Sequence, residues 1–194
     1  MAPREAGPDS PARADAQRNR QRLTEVAQRA FTAGSGKVSL EAVAKQAGVG
    51  IGTLYRHFPT REALVEAVYL AERGRLCTAA DELLAELPPE RALRTWMDRF
   101  ADYIATKREM ADALRALIAD GTVTRSQARE QLSVAVRSMV DAGAATGTIR
   151  ADVLAEDVVV ALVGIFSVCA LPEQREQAGR LMDLLMDGLR VARS

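Results

Sequence analysis

Three hydroxyls, a phenol, an imidazole and two guanidinium groups fall within the 23 residues from Ser39 to Arg61, on Ser39, Thr53, Thr60, Tyr55, His57, Arg56 and Arg61. These groups donate hydrogen bonds to phosphate oxygens and base edges, and Ile51 and Gly52 lie among them. Catalysis fits the same stretch poorly. His57 is the only histidine in the chain, and no second metal ligand, nucleophile or Gly-rich phosphate loop accompanies it. The chemistry that this cluster can do is recognition of a polyanion.

Such groups need a rigid support, and the surrounding residues supply the pattern for one. Ser39 stands in the N-cap position of a helix spanning about Leu40 to Ala47, whose Leu40, Val43, Ala44 and Ala47 recur at helical spacing and form a buried face. Gly48 sits where the chain must reverse, a place that calls for positive φ, and Val49 can plug the turn into the core. A second helix, Ile51 to His57, is too short to be stable alone, so Leu54 and Phe58 at i and i+4 must anchor it. Its remaining faces carry Gly52, Thr53, Tyr55, Arg56 and His57, the composition of a recognition helix lying in the major groove. For Tyr55 a place in the core is an equal alternative, because a tyrosine can pack its ring and still offer its hydroxyl.

The run Gly48-Val-Gly-Ile-Gly-Thr-Leu-Tyr-Arg-His-Phe58, followed by Thr60-Arg-Glu-Ala-Leu64, resembles the signature of TetR-family transcriptional regulators. The resemblance covers about the first third of the chain. It implies that Thr53, Tyr55 and His57 contact phosphates, that Gly52 lets the backbone approach DNA, and that Arg61 reaches a phosphate from the start of the next helix. Ile51 and Arg56 fall where base readout varies between members; an arginine there suits guanine O6 and N7, and Ile51 can meet a thymine methyl. The chain departs from the pattern at Gly50, where Ser or Thr usually caps the recognition helix. One cap and one phosphate contact are therefore expected to be missing.

Net charge is zero overall, yet residues 13–61 hold nine Lys and Arg against three acids, a local charge of +6. The positive potential is confined to the motif and its neighbours, so a neutral total does not count against DNA binding. Residues 1–15 combine three prolines with mixed charges and read as a disordered arm. The chain start has no apolar h-region, so no signal peptide is expected and the location read is cytoplasmic. A first helix is expected from about Ala16 to Thr32, with Leu23, Val26, Ala27, Ala30 and Phe31 inward and Gly34 and Gly36 ending it. Arg18, Arg20 and Arg22 near its start suit a phosphate or the minor groove, or else a solvated helix end.

Beyond Thr60 the pattern stays helical, without alternating β-type runs. A long helix capped by Thr60 should run to about Glu86, where Pro88-Pro89 stops it, and further helices are placed near 89–106, 109–119, 124–146, 155–170 and 173–192. The expected fold is all-α with about nine helices. It divides into the arm 1–15, a helix-turn-helix head over 16–59, and an effector-binding and dimerisation body over 60–194. Val158 to Leu171 is apolar nearly all round, too short at fourteen residues to span a bilayer, and so needs burial on more than one side. With the last helix (Leu181, Leu184, Leu185, Leu189 and Val191) it suits a two-fold four-helix interface between copies, and an ordinary monomer core is the alternative. A homodimer is favoured because one seven-residue helix reads few base pairs, whereas two heads read a palindromic operator.

Candidate lining residues for an effector pocket are Trp96, Phe100, Tyr103, Met110, Leu114, Leu117, Met139 and Phe166, joined by Met97 and Ile104. Met and aromatic residues at helical spacing also serve plain cores, and it is the family resemblance that implies a pocket between these helices. Few charges fall on those faces, so the effector is expected to be small and largely apolar. Cys77 and Cys169 are isolated, with no CxxC and no neighbouring histidine. They read as reduced, buried thiols, with a redox sensor as the alternative; no metal and no cofactor is expected. The reading is a ligand-responsive repressor and not an enzyme. Its rivals are a helical enzyme with a basic head and a nucleoid-associated DNA-binding protein without a ligand.

Overall fold

A computed structural model describes residues 11–33, 38–169 and 171–192. The described residues form nine α-helices: α1 (Pro11–Thr32), α2 (Leu40–Gln46), α3 (Ile51–His57), α4 (Arg61–Glu86), α5 (Pro89–Glu109), α6 (Ala111–Ala119), α7 (Arg125–Ala145), α8 (Ala155–Val168) and α9 (Arg175–Leu189). A single 3-10 turn, Pro172–Gln174, precedes α9, and no strand occurs among the described residues. The all-α expectation holds, with every expected helix present.

Several boundaries shift by a few residues, α5 for example running to Glu109, and three of the shifts have clear physical reasons. The first helix starts at Pro11 and not near Ala16. Proline fits the first helical position because the amide it lacks has no partner there anyway, and Ala12 to Ala16 are adequate helix formers without an apolar stripe. Residues 1–10 of the expected arm, and Gly34 and Gly36, lie outside the described residues. The eighth helix stops at Val168, because Pro172 forces Leu171 into an extended conformation (φ −92°, ψ 151°). The last helix runs only to Leu189, since Arg190 leaves it (φ −70°, ψ 149°) to make an antiparallel bridge with Ile149.

That bridge closes the body. Arg150 N donates to Leu189 O at 2.9 Å and the Arg150 guanidinium to Gly188 O at 3.0 Å, tying the α7–α8 connection to the end of α9. The turn itself depends on Gly143. Its carbonyl accepts from the amides of Thr148 and Ile149, and a Cβ there would stand 2.5 Å from Ile149 Cδ1. Only a glycine admits the buried Ile149 side chain that close.

The core is continuous from head to body through α4, whose inner face carries Leu64, Val65, Val68, Tyr69, Leu76, Ala79, Ala80 and Leu83. Helices α1, α5, α6 and α7 all pack against it. Trp96 is fully buried, its Nε1–H donating to Leu76 O at 2.8 Å, and its ring stacks on Phe100 with centroids 5.7 Å apart. The head also reaches α5 directly, where the Thr32 and Thr106 hydroxyls meet at 3.2 Å. Movement in α5 therefore has two routes to the head, through α4 and through α1.

Candidate nucleic-acid interface

The cap on α2 is formed as expected: Ser39 Oγ accepts from Ala42 N at 3.3 Å and donates to Glu41 Oε2 at 2.6 Å. That hydroxyl holds the Glu41 carboxyl below the usual carboxylate range. The turn then uses Gly48 at φ +70°, and Val49 N donates to Ala44 O at 3.0 Å as its side chain packs on the core. Gly50 is the N-cap of α3 and offers no side-chain cap, so the start of the recognition helix keeps its amide donors free of side-chain partners.

Leu54 and Phe58 are fully buried and hold α3 to the head. The opposite side carries Ile51, Gly52, Tyr55 and Arg56, all exposed, with Thr53 and His57 half-buried at its margins. Tyr55 is 44% exposed, which places it on the surface and not in the core. A Cβ on Gly52 would meet nothing within 4 Å, so the outer face of α3 is flat there and open to a close approach. Thr60 Oγ1 caps α4 by accepting from Ala63 N at 3.1 Å, and this fixes Arg61 beside the end of α3. Arg61 is half-buried, with its guanidinium carbon 6.0 Å from the Phe31 ring centroid.

The three arginines near the start of α1 divide their work. Arg18 pairs with Asp15 on the helix surface, and Arg22 is exposed. Arg20 instead donates from Nη1 to the His57 carbonyl at 3.0 Å and lays its guanidinium 4.4 Å from the Phe58 ring centroid. It thus caps the C-terminal end of the recognition helix, where a cation is favoured by the helix dipole, and covers the aromatic anchor. Nothing in the spacing of Arg18, Arg20 and Arg22 singles out Arg20 for this. The contact spans 37 residues, so only the folded head reveals it.

The expected pocket residues do not assemble as one group. Phe100, Tyr103 and Leu114 line an apolar cavity of about 120 Å³ enclosed by α4–α8, and Ile104 joins them. Trp96, Met97, Met110 and Met139 are core side chains without exposure, and Leu117 is likewise buried away from this cavity. Phe166 faces Phe100 (5.9 Å between centroids) but lines a separate concavity of about 250 Å³ near Pro172. The residues that periodicity missed are Tyr69, Lys107, Ile118, Val123, Arg125, Ala128, Arg129, Leu132, Val159 and Val163, contributed by five helices and one loop. Tyr69 and Tyr103 lie side by side in its wall, 6.1 Å between centroids, and burial, then the neighbouring Tyr69, push the Tyr103 phenol far above its usual range. The Tyr103 phenol therefore stays neutral. A larger groove of about 850 Å³ lies between α1 and α4 on the head, but it is open to solvent and lined by Arg13, Arg20 and Arg75 with Glu25.

Cys169 is buried, whereas Cys77 is half-buried and not fully enclosed; burial pushes its thiol above the ordinary range, against the opposing effect of Arg73. Among the described residues no cluster of three His, Cys, Asp or Glu side chains forms that could hold a metal ion, and no helix is long and apolar enough to cross a membrane.

Residues 23–68 match the model of bacterial regulatory proteins of the tetR family, and residues 88–191 match that of the SbtR-like transcriptional regulator C-terminal domain. The fold is similar to a TetR transcriptional regulator of Streptomyces coelicolor, with 48% identity, TM-score 0.80, and coverage of 90% of this chain and 99% of that one. It is also similar to a TetR regulator of Mycobacterium vanbaalenii, with 35% identity, TM-score 0.72, and 93% and 100% coverage. An HTH-type transcriptional regulator of Staphylococcus aureus is 45% identical over 53 residues, a match spanning only 29% of that protein and 27% of this chain.

Proposed function

The chain belongs to the TetR family of transcriptional regulators, DNA-binding proteins that are transcription factors and not enzymes, and from that premise we propose that it is a homodimeric repressor released by a small effector. The two heads read a palindromic operator, with α3 of each copy in successive major grooves about 34–36 Å apart. The observation that carries this reading is the outward face of α3. Ile51 and Tyr55, 40% and 44% exposed, leave two large side chains facing outward beside the exposed Arg56, while Leu54 and Phe58 are fully buried and hold the helix.

Tyr55, Thr53, His57 and Arg61 hold phosphates, Ser39 stands at the flank, and the side chains of Ile51 and Arg56 reach base edges over the flat Gly52. Residues 16–59 act as the reading head and 60–194 as the body. The dimer surface is the outer side of α8 and α9. Val160, Val168 and Leu184 are exposed on one protomer, at 48%, 73% and 67%, and apolar residues of that size on adjoining helices mark an association surface.

An effector in the 120 Å³ cavity touches Tyr103 and Lys107 on α5, either side of Thr106, whose hydroxyl meets Thr32 of α1. Repositioning α5 and α4 would change the separation of the heads, provided the effector binds the two arrangements with different affinity. The protein acts in the cytoplasm, where its DNA lies. Tyr55→Phe and Arg61→Ala test the contact assignment: each should weaken operator binding several-fold with little loss of folding. Unchanged affinity in both variants would remove the assignment.

A further inference from the structure

The walls and the mouth of the α4–α8 cavity differ in character. Phe100, Leu114, Ile118 and Leu132 make an apolar interior, whereas Lys107, Arg125 and Arg129 are, among the described residues, the charged side chains that line it. A fourth cation stands just behind. Arg73, only 7% exposed, lies 5.3 Å from the Tyr69 ring centroid, and Lys107 Nζ lies 5.9 Å from the same ring. Among the described residues none of the four forms an ion pair, although ten ion pairs form elsewhere on the molecule. Arg73 is nearly buried and Lys107 half-buried without a carboxylate partner, and an anion entering at the mouth, where Arg125 and Arg129 stand exposed, offsets that unbalanced positive charge.

We infer that this cavity binds a small aromatic carboxylic acid, its ring in the apolar interior and its carboxylate among Lys107, Arg125 and Arg129. This deepens the effector reading above and rests on it for biological meaning only. Size sets the class of the ring, because a cavity near 120 Å³ is comparable to one of about 150 Å³ that accepts benzene, and is too small for a long acyl chain or a polycyclic drug. Charge sets the head group, since arginine offers planar paired donors that match a carboxylate. The Tyr69 and Tyr103 hydroxyls stand in the same wall and can donate to the same oxygens.

The full-length protein carries its own reporter: Trp96 is the only tryptophan and stacks on Phe100, which lines the cavity. Phenylacetate, phenylacetamide and 2-phenylethylamine share one ring and spacing and differ in charge. Titrations followed by Trp96 fluorescence and by calorimetry should show saturable phenylacetate binding, about tenfold or more tighter than the amide, with the amine weakest. Arg125→Gln/Arg129→Gln should remove that preference, bringing acid affinity down to the level of the amide. Both residues are exposed on α7, so folding is retained, and Leu132→Phe, which fills the interior, should abolish binding of acid and amide alike.

Equal affinity for acid and amide, an acid affinity unchanged in the double variant, or no saturable acid binding at about millimolar concentration would each overturn the inference. Operator binding is measured separately. If phenylacetate binds with this charge dependence but leaves operator affinity unchanged, the site stands and the effector-release reading falls. If operator is released by other compounds and the acid does not bind, the reverse holds.

Discussion

Replacing Arg20 by alanine removes a hydrogen bond to the carbonyl of His57, the last residue of the recognition helix, and the cation over its aromatic anchor, while leaving the sequence of α3 unchanged. At a solvent-exposed position a charged hydrogen bond contributes about 1 kcal/mol and a cation–π contact about 0.5–1 kcal/mol, so Arg20→Ala should cost about 1–2 kcal/mol. For a chain of this length that lowers the unfolding temperature by roughly 2–8 °C. Because α3 has only seven residues and one buried turn, the loss falls on the part that reads DNA, and two heads share each operator. Operator affinity should fall about tenfold or more.

Thermal unfolding by circular dichroism and anisotropy of a labelled operator over a salt series measure both effects. A direct phosphate contact by Arg20 would lower the slope of log affinity against log salt by about 0.9 per head. A residue that only positions α3 leaves the slope unchanged while the affinity drops. Arg20→Lys keeps the charge but loses the planar fork, and should fall between alanine and wild type on both measures. An Arg20→Ala protein with wild-type unfolding temperature, or a reduced salt slope, would refute the positioning role.

Gly143→Ala places a Cβ 2.5–2.8 Å from three atoms of the buried Ile149 and should destabilise the body by about 1–3 kcal/mol in denaturant titration; an unchanged midpoint would contradict the packing. Gly50→Ser adds the side-chain cap that α3 lacks, at φ −68° and ψ 148° with open space for a Cβ, and should tighten operator binding several-fold. Weaker binding by Gly50→Ser would mean that the start of α3 does not face the backbone. Leu184→Glu, at a site 67% exposed in one protomer, should convert dimer to monomer in sedimentation equilibrium, and a persistent dimer would move the interface elsewhere.

Most of the helical frame was legible because its punctuation is local. Ser39 and Thr60 cap the helices that follow them, Gly48 takes positive φ at the turn, and Pro88-Pro89 divides α4 from α5. The anchors Leu54 and Phe58 were readable for the same reason, their spacing being that of one helical turn. The start of α1 was hidden because Pro11 to Ala16 carry no apolar stripe, and propensity alone forms that turn. In the cavity, Met and aromatic spacing on α5 pointed to side chains such as Trp96 and Met97 that the core fully consumes. What defines its mouth is Lys107 at one end of α5 and Arg125 and Arg129 at the start of α7, a juxtaposition set by helix packing and by no local pattern. The Arg20 contact with His57 was invisible on the same ground, and the exposed leucine at 184 gains meaning only once Ala178, Met182 and Met186 are seen to face inward.

Selection of a randomised duplex library with the full-length protein at physiological salt tests the central claim most directly. Two heads on a two-fold axis predict an inverted-repeat consensus with half-sites about one helical turn, 10–10.5 base pairs, apart. Enrichment of DNA without a consensus, combined with a steep salt dependence, would contradict sequence-specific regulation and leave a protein that binds the backbone alone.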